Sequence, residues 1–210
     1  MRGRTTNTDN KPQKWWWLIG TAAALIVSYV AMPAYTDAGD AIGYMLRVTA
    51  RVAFVLLMIA YLARPARMLL GNVSWARSFV RGWLAHRRYV GLSMAMAHTL
   101  HFGYVVSLVT VLGRELDPVT LILGGLAFVL MWLMAATSND KSVAVLSRNW
   151  RRLHLFGLHY LWLIFVQSFA LIAANGGEMA PLYALLTSVG LIGLVLRAWV
   201  YWSVRLKRAR

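Results

Sequence analysis

Five histidines carry most of the chemistry that this sequence can offer: His86, His98, His101, His154 and His159. Imidazole titrates near neutral pH and binds metals, and in its neutral form it is a common axial ligand for haem iron. His98 and His101 are three residues apart, so on a helix they share nearly one face and sit ~4.5 Å apart along the axis. That is too close for two separate haems on one helix, so one is a ligand and the other a supporting or structural group. His154 and His159 are five apart and point about 140° away from each other, which disfavours a shared iron. The plainer alternative is that membrane histidines only hydrogen-bond neighbouring helices. Four of them on two helices weigh against that reading for the whole set. Arg47 and Arg51, one helical turn apart, form a second candidate group. They either hold haem propionates, line a passage for anions, or snorkel to the headgroups.

What the sequence lacks narrows the chemistry further. It has no cysteine, which excludes disulfides, thiolate metal sites, iron–sulfur ligation and covalent haem attachment. No glycine-rich nucleotide-binding motif occurs, and no Ser/His/Asp or Cys/His arrangement suggests a nucleophilic enzyme. No catalytic residue is assigned. The net charge of +15 would suggest nucleic acid in a soluble protein. Here the basic residues cluster between apolar spans, so membrane topology accounts for them and no nucleic-acid partner is expected.

The elements that must position these side chains are membrane helices. Of 210 residues, 60% are hydrophobic and 14% charged, against roughly a quarter charged in a soluble domain. Apolar runs near the ~20 residues needed to cross a bilayer occupy 15–34, 42–63, 89–112, 119–137, 150–174 and 181–204. The first opens on Trp15-Trp16-Trp17, aromatics suited to the headgroup region, and is too long for a cleaved signal peptide. The fold expected is an all-α integral membrane bundle of six transmembrane helices. A tail at 1–14 precedes the bundle at 15–204, and a basic tail at 205–210 follows it.

Charge sets the expected orientation. Basic residues crowd the N-terminal tail, the 64–88 segment, the 138–152 segment and the C-terminal tail, all on one side of a six-span chain. The opposite loops hold Arg114 alone against Asp37, Asp40, Glu115, Asp117 and Glu178. Positively charged loops stay inside, which places both termini in the cytoplasm and the chain in the inner membrane as a multi-pass protein. The 64–88 segment reads as the longest loop. Its Trp75, Phe79 and Trp83 among arginines suggest a stretch lying on the inner membrane surface.

Several motifs resemble the ferric reductase-like transmembrane family. This family includes the haem-binding membrane subunit of bacterial periplasmic methionine-sulfoxide reductase and the membrane parts of NADPH oxidases. The run from His86-Arg87-Arg88 to Leu92, with His101 fourteen residues after Arg87, is similar to the family's third helix. Thr137-Ser138-Asn139 followed by Trp150-Arg151-Arg152-Leu153-His154 resembles its fourth-to-fifth helix connection. Thr49-Ala50-Arg51 through Arg64-Pro65-Ala66-Arg67 is similar to its second helix and basic exit. The resemblance covers roughly 42–175. It implies non-covalent b-type haem between the third and fifth helices and electron transfer across the membrane, by a component of an oxidoreductase rather than a self-sufficient enzyme, with any dehydrogenase half on another chain. It makes His101 the helix-three ligand and His154 the first ligand of helix five. The family's second helix-five histidine falls on Gln167, and the oxidases' inner-side histidine falls on Arg87, so the full two-pair ligand set is absent.

Depth along the helices refines the pairing. The third and fifth helices both start on the inner side, which puts His101 ~20 Å, His98 ~15 Å, His159 ~10 Å and His154 ~3 Å from that edge. The expectation is one haem b near mid-membrane, held by His98 or His101 with His159. A second, inner haem between His154 and His86 is also compatible. The expected partners are membrane lipid and a separate electron donor and acceptor, either proteins or quinone. Two other classes fit the same residues: a transporter or proton-coupled permease using intramembrane His and Arg, and a structural membrane subunit.

Overall fold

The computed structural model describes residues 16–30 and 37–208, and these form six α-helices. They are α1 (Trp16–Val30), α2 (Ala38–Leu70), α3 (Ala76–Thr110), α4 (Pro118–Ala136), α5 (Asp140–Ala174) and α6 (Ala180–Arg208). The helices α2 to α6 are long and apolar enough to cross a membrane. The described part of α1 has 15 residues, a length of ~22 Å against a hydrocarbon core of ~30 Å. The ends of the expected first span, Trp15 and 31–34, lie outside the described residues, as do the tail at 1–14 and Arg210.

Short connections make neighbouring helices antiparallel. Each of α2 to α6 packs on the next, and α6 returns to α2, closing a five-helix ring with α1 outside it against α3 and α2. In this ring α3 and α5 are not neighbours, so their inner faces look at each other across the interior. Local chemistry fixes the turns. Asp117 caps α4 by accepting from the Thr120 N–H at 2.9 Å, with Pro118 in the first turn, where its missing N–H costs nothing. Asn139 accepts from the Ser142 N–H at 2.8 Å and donates to the Ala136 carbonyl at 3.0 Å, tying the end of α4 to the start of α5.

The 64–88 segment differs from expectation. Only 71–75 is non-helical; the remainder extends α2 and α3 into an antiparallel hairpin. Ala76 and Val80 are buried, and the Trp83 indole donates to the Ile59 carbonyl at 2.9 Å. Apolar residues at helical spacing found a partner helix to pack on, so this stretch is not a loop, while Trp75 and Phe79 stay exposed. α5 breaks at Ser147, whose φ of 47° is non-helical, which leaves its 148–174 part ~40 Å long, whereas α2 and α3, with 33 and 35 residues, reach ~50 Å and overshoot the hydrocarbon core at one end. That end carries most of the arginines and is called the basic end below.

The core runs along the ring interior through Phe54, Leu57, Tyr61, Met94, Met131, Leu161 and Phe165. Close approach of α6 depends on Gly190 and Gly193. A Cβ at these positions would come within 2.5 Å of Val166 Cγ2 and Met58 Cε respectively. The Trp162 indole then reaches the Gly190 carbonyl at 2.9 Å. Outside the ring, Ile122, Val129, Ile192, Val195 and Trp199 are exposed, as lipid-facing side chains should be.

Candidate functional site

Two cavities lie end to end along the ring axis. The one away from the basic end has a volume of about 360 Å³ and is lined by His98 and His101 of α3, Arg47 of α2, Phe128 of α4, Phe165 and Ser168 of α5 and Tyr183 of α6. Two consecutive glycines of α4, Gly124 and Gly125, also line it, and a Cβ on either would meet nothing within 4 Å. The walls are otherwise mainly apolar.

The two α3 histidines stack, with ring centroids 5.1 Å apart and planes 3° from parallel. His98 is 6% exposed and packs between Phe128 at 4.6 Å and Phe165 at 4.9 Å. Its Nδ1 is buried without a hydrogen-bond partner, an arrangement that calls for an explanation in a folded protein. His101 is anchored differently. Its Nδ1 lies 3.1 Å from the Leu46 carbonyl and 3.2 Å from Thr49 Oγ1. The Thr49 hydroxyl donates to the Met45 carbonyl at 2.7 Å, so towards His101 it acts as an acceptor. Both contacts therefore favour Nδ1–H, leaving Nε2 with a free lone pair. Metal-ligating histidines are commonly held in this way.

The arginine pair of α2 divides. Arg47 is exposed and lines the cavity. Arg51 turns to α6, donating to Tyr183 Oη at 3.1 Å with its guanidinium 5.0 Å from that ring's centroid.

The basic-end cavity has a volume of about 390 Å³. His154 lines it and stacks on Trp150 at 4.1 Å. Its Nε2 lies 3.3 Å from Thr137 Oγ1, whose own proton goes to the Leu133 carbonyl at 2.7 Å. Nε2 is thus the protonated nitrogen, already engaged. Arg64, Arg87, Arg88, Arg151 and Arg197 surround the same space. The partition between the cavities is one helical turn thick on three helices: Ala95 to His98, Phe128 to Met131 and Leu158 to Leu161.

His86 and His159 line neither cavity. Each places Nδ1 2.7 Å from the carbonyl four residues earlier, Gly82 and Leu155 respectively. The His86 ring sits 5.9 Å from Trp16, and the His159 ring meets Tyr61 edge-on at 5.5 Å. The expected axial partners, His159 for the α3 histidines and His86 for His154, are therefore not brought into a common cavity. Phe128, Gly124, Gly125 and Ser168 were not legible as site residues, because only the rotation of α4 and α5 turns them inward. Among the glycines of α3 and α5, Gly91 lines the basic-end cavity, Gly157 packs on Met134, and Gly103 is exposed.

Among the described residues no group of three or more His, Cys, Asp or Glu converges on a bare metal site. No family model matches the chain, and no solved structure matches it.

Proposed function

We propose that the chain is a b-type haem-binding membrane subunit that carries electrons across the bilayer, from a donor at the basic end to an acceptor at the other. The observation that carries this reading is His101: an imidazole with its tautomer set by Leu46 and Thr49, on the wall of an apolar, aromatic cavity. The cavity volume lies within the ~300–1,000 Å³ common for cofactor sites. The motif resemblance points to the same histidine.

The residues fit haem from one side. His101 offers Nε2 as a ligand, and the buried His98 packs in parallel behind it. Phe128 and Phe165 provide flat apolar contact and exclude water. Arg47 supplies a cation for propionate carboxylates. The α5 wall presents Ser168 and aliphatic or aromatic side chains, with no second nitrogen or sulfur ligand, so single-histidine ligation on α3 is the form proposed. When bound, haem iron would cycle between ferric and ferrous states and carry one electron. Both termini lie in the cytoplasm in this reading, with six spans in the inner membrane. Electrons arrive from a separate protein or quinone.

Absorption spectra of the chain purified after expression with ample haem test this directly. Haem bands near one equivalent per chain are expected; a colourless, folded protein overturns the proposal. A proton-coupled permease is the second reading, favoured by the thin partition between two opposed cavities. Haem-free protein that moves protons in vesicles would support it instead.

A further inference from the structure

The basic-end cavity holds more positive charge than the carboxylates of the described residues answer. Its five guanidinium groups come from four helices: Arg64 of α2, Arg87 and Arg88 of α3, Arg151 of α5 and Arg197 of α6. Among the described residues one carboxylate answers them, Asp140, which pairs with Arg88. Arg197 donates to the Tyr61 carbonyl at 3.1 Å and lies 4.3 Å from that ring's centroid. Arg64, Arg87 and Arg151 make no hydrogen bond or ion pair within the described residues.

This is more than a belt of snorkelling cations. Arg197 precedes the end of α6 at Arg208 by eleven residues, so its Cα lies ~16 Å in from that end. Below the arginines the cavity is apolar, lined by Leu57, Met94, Met131, Met134 and Leu158. Arg64, Arg87, Arg151 and Leu155 are exposed at its mouth, so the opening reaches the bundle surface. A small soluble anion would match the rim and leave the floor empty. A neutral amphiphile would match the floor and leave the guanidinium groups without counter-charge.

We infer that this cavity binds one anionic phospholipid. Its phosphate lies among Arg64, Arg87 and Arg151, and the upper part of one acyl chain runs over Met94, Met131 and Leu158. Basic pockets between membrane helices suit such headgroups, and charge and apolar floor here agree on one ligand class. The site is separate from the haem reading and does not depend on it.

The test uses the full chain in mild detergent, stripped of endogenous lipid. It is titrated with phosphatidylglycerol, with phosphatidylcholine of the same acyl chains, or with inorganic phosphate. Native mass spectrometry counts retained lipid, and thermal unfolding reads phosphate. One phosphatidylglycerol per chain is expected to be retained in preference to phosphatidylcholine. Arg87→Gln with Arg151→Gln should weaken retention about 30-fold. Arg148→Gln with Arg152→Gln removes the same charge beside the cavity but not in it, and should leave retention nearly unchanged. Gly91 lines the cavity and has open space where a Cβ would sit. Gly91→Leu should therefore fill the floor and expel the lipid while leaving the arginines in place. Equal retention of the two lipids by the unsubstituted chain overturns the assignment, whatever the variants do. So does equal loss in both double variants. Phosphate binding as tight as that of phosphatidylglycerol, with Gly91→Leu silent, would mark a simple anion site and overturn it too. A second haem occupying the cavity would do the same.

Discussion

His101 Nδ1 lies 3.1 Å from the carbonyl oxygen of Leu46, across the α2–α3 contact. This contact fixes which nitrogen carries the proton and how the ring is turned. A histidine free to rotate would offer either nitrogen, at a cost in ordering whenever a ligand bound. Thr49 adds a second acceptor at 3.2 Å. Thr49→Val keeps the volume and removes the hydroxyl. Loss of a partner that orients a ligating histidine typically costs ~10–100-fold in affinity. Haem transfer to a competing apoprotein should therefore become at least about tenfold more favourable in this variant. Unchanged transfer would mean that Leu46 alone orients the ring or that His101 is not the ligand.

The seam between α5 and α6 yields a prediction about stability. Gly190 sits against Val166, and its carbonyl accepts the Trp162 indole. Gly190→Leu has to push the helices apart and stretch that hydrogen bond. A loss of about 1–3 kcal/mol or more is expected from overpacking alone, measured by unfolding in detergent. Gly103→Ala is the matched control, because a Cβ there meets nothing within 4 Å. Equal stability of the two variants would contradict the packing described.

Much of the fold was legible in the sequence. The expected fourth span at 119–137 differs by one residue at each end from Pro118–Ala136, because the apolar run ends where the Asp117 and Asn139 caps stop the helix. The 64–88 segment is a helical hairpin rather than a loop for a physical reason: Ala76 and Val80 are buried and Trp83 bonds to Ile59 of α2, while Trp75 and Phe79 stay exposed. The site was half legible. Histidine spacing put His98 and His101 on one face, which is how they stack. The anchor at Leu46 is a backbone carbonyl, which has no side-chain signature. The direction of His159 follows from the rotation of α5 within a closed ring, and pattern along one helix cannot give it.

Topology supplies a prediction of a different kind. Reporters inserted in the 71–75 turn and fused after Arg210 should lie on one side of the membrane, and a reporter in the 111–117 turn on the other. A reporter at the N-terminus should report the same side as Arg210 if the first apolar segment crosses. An N-terminal reporter on the opposite side would reduce the count to five crossings and remove the six-span account.

The most direct measurement of the central claim is the haem-to-chain ratio, with its absorption spectrum, across a histidine series. The account predicts about one haem per unsubstituted chain and little or none in His101→Ala. His98→Ala, which removes the parallel ring behind the ligand, should shift or weaken the spectrum. His159→Ala should retain haem, because His159 lies against Tyr61 and outside the cavity. A His98→Ala/His101→Ala double variant that keeps both the ratio and the spectrum of the unsubstituted chain would contradict the account.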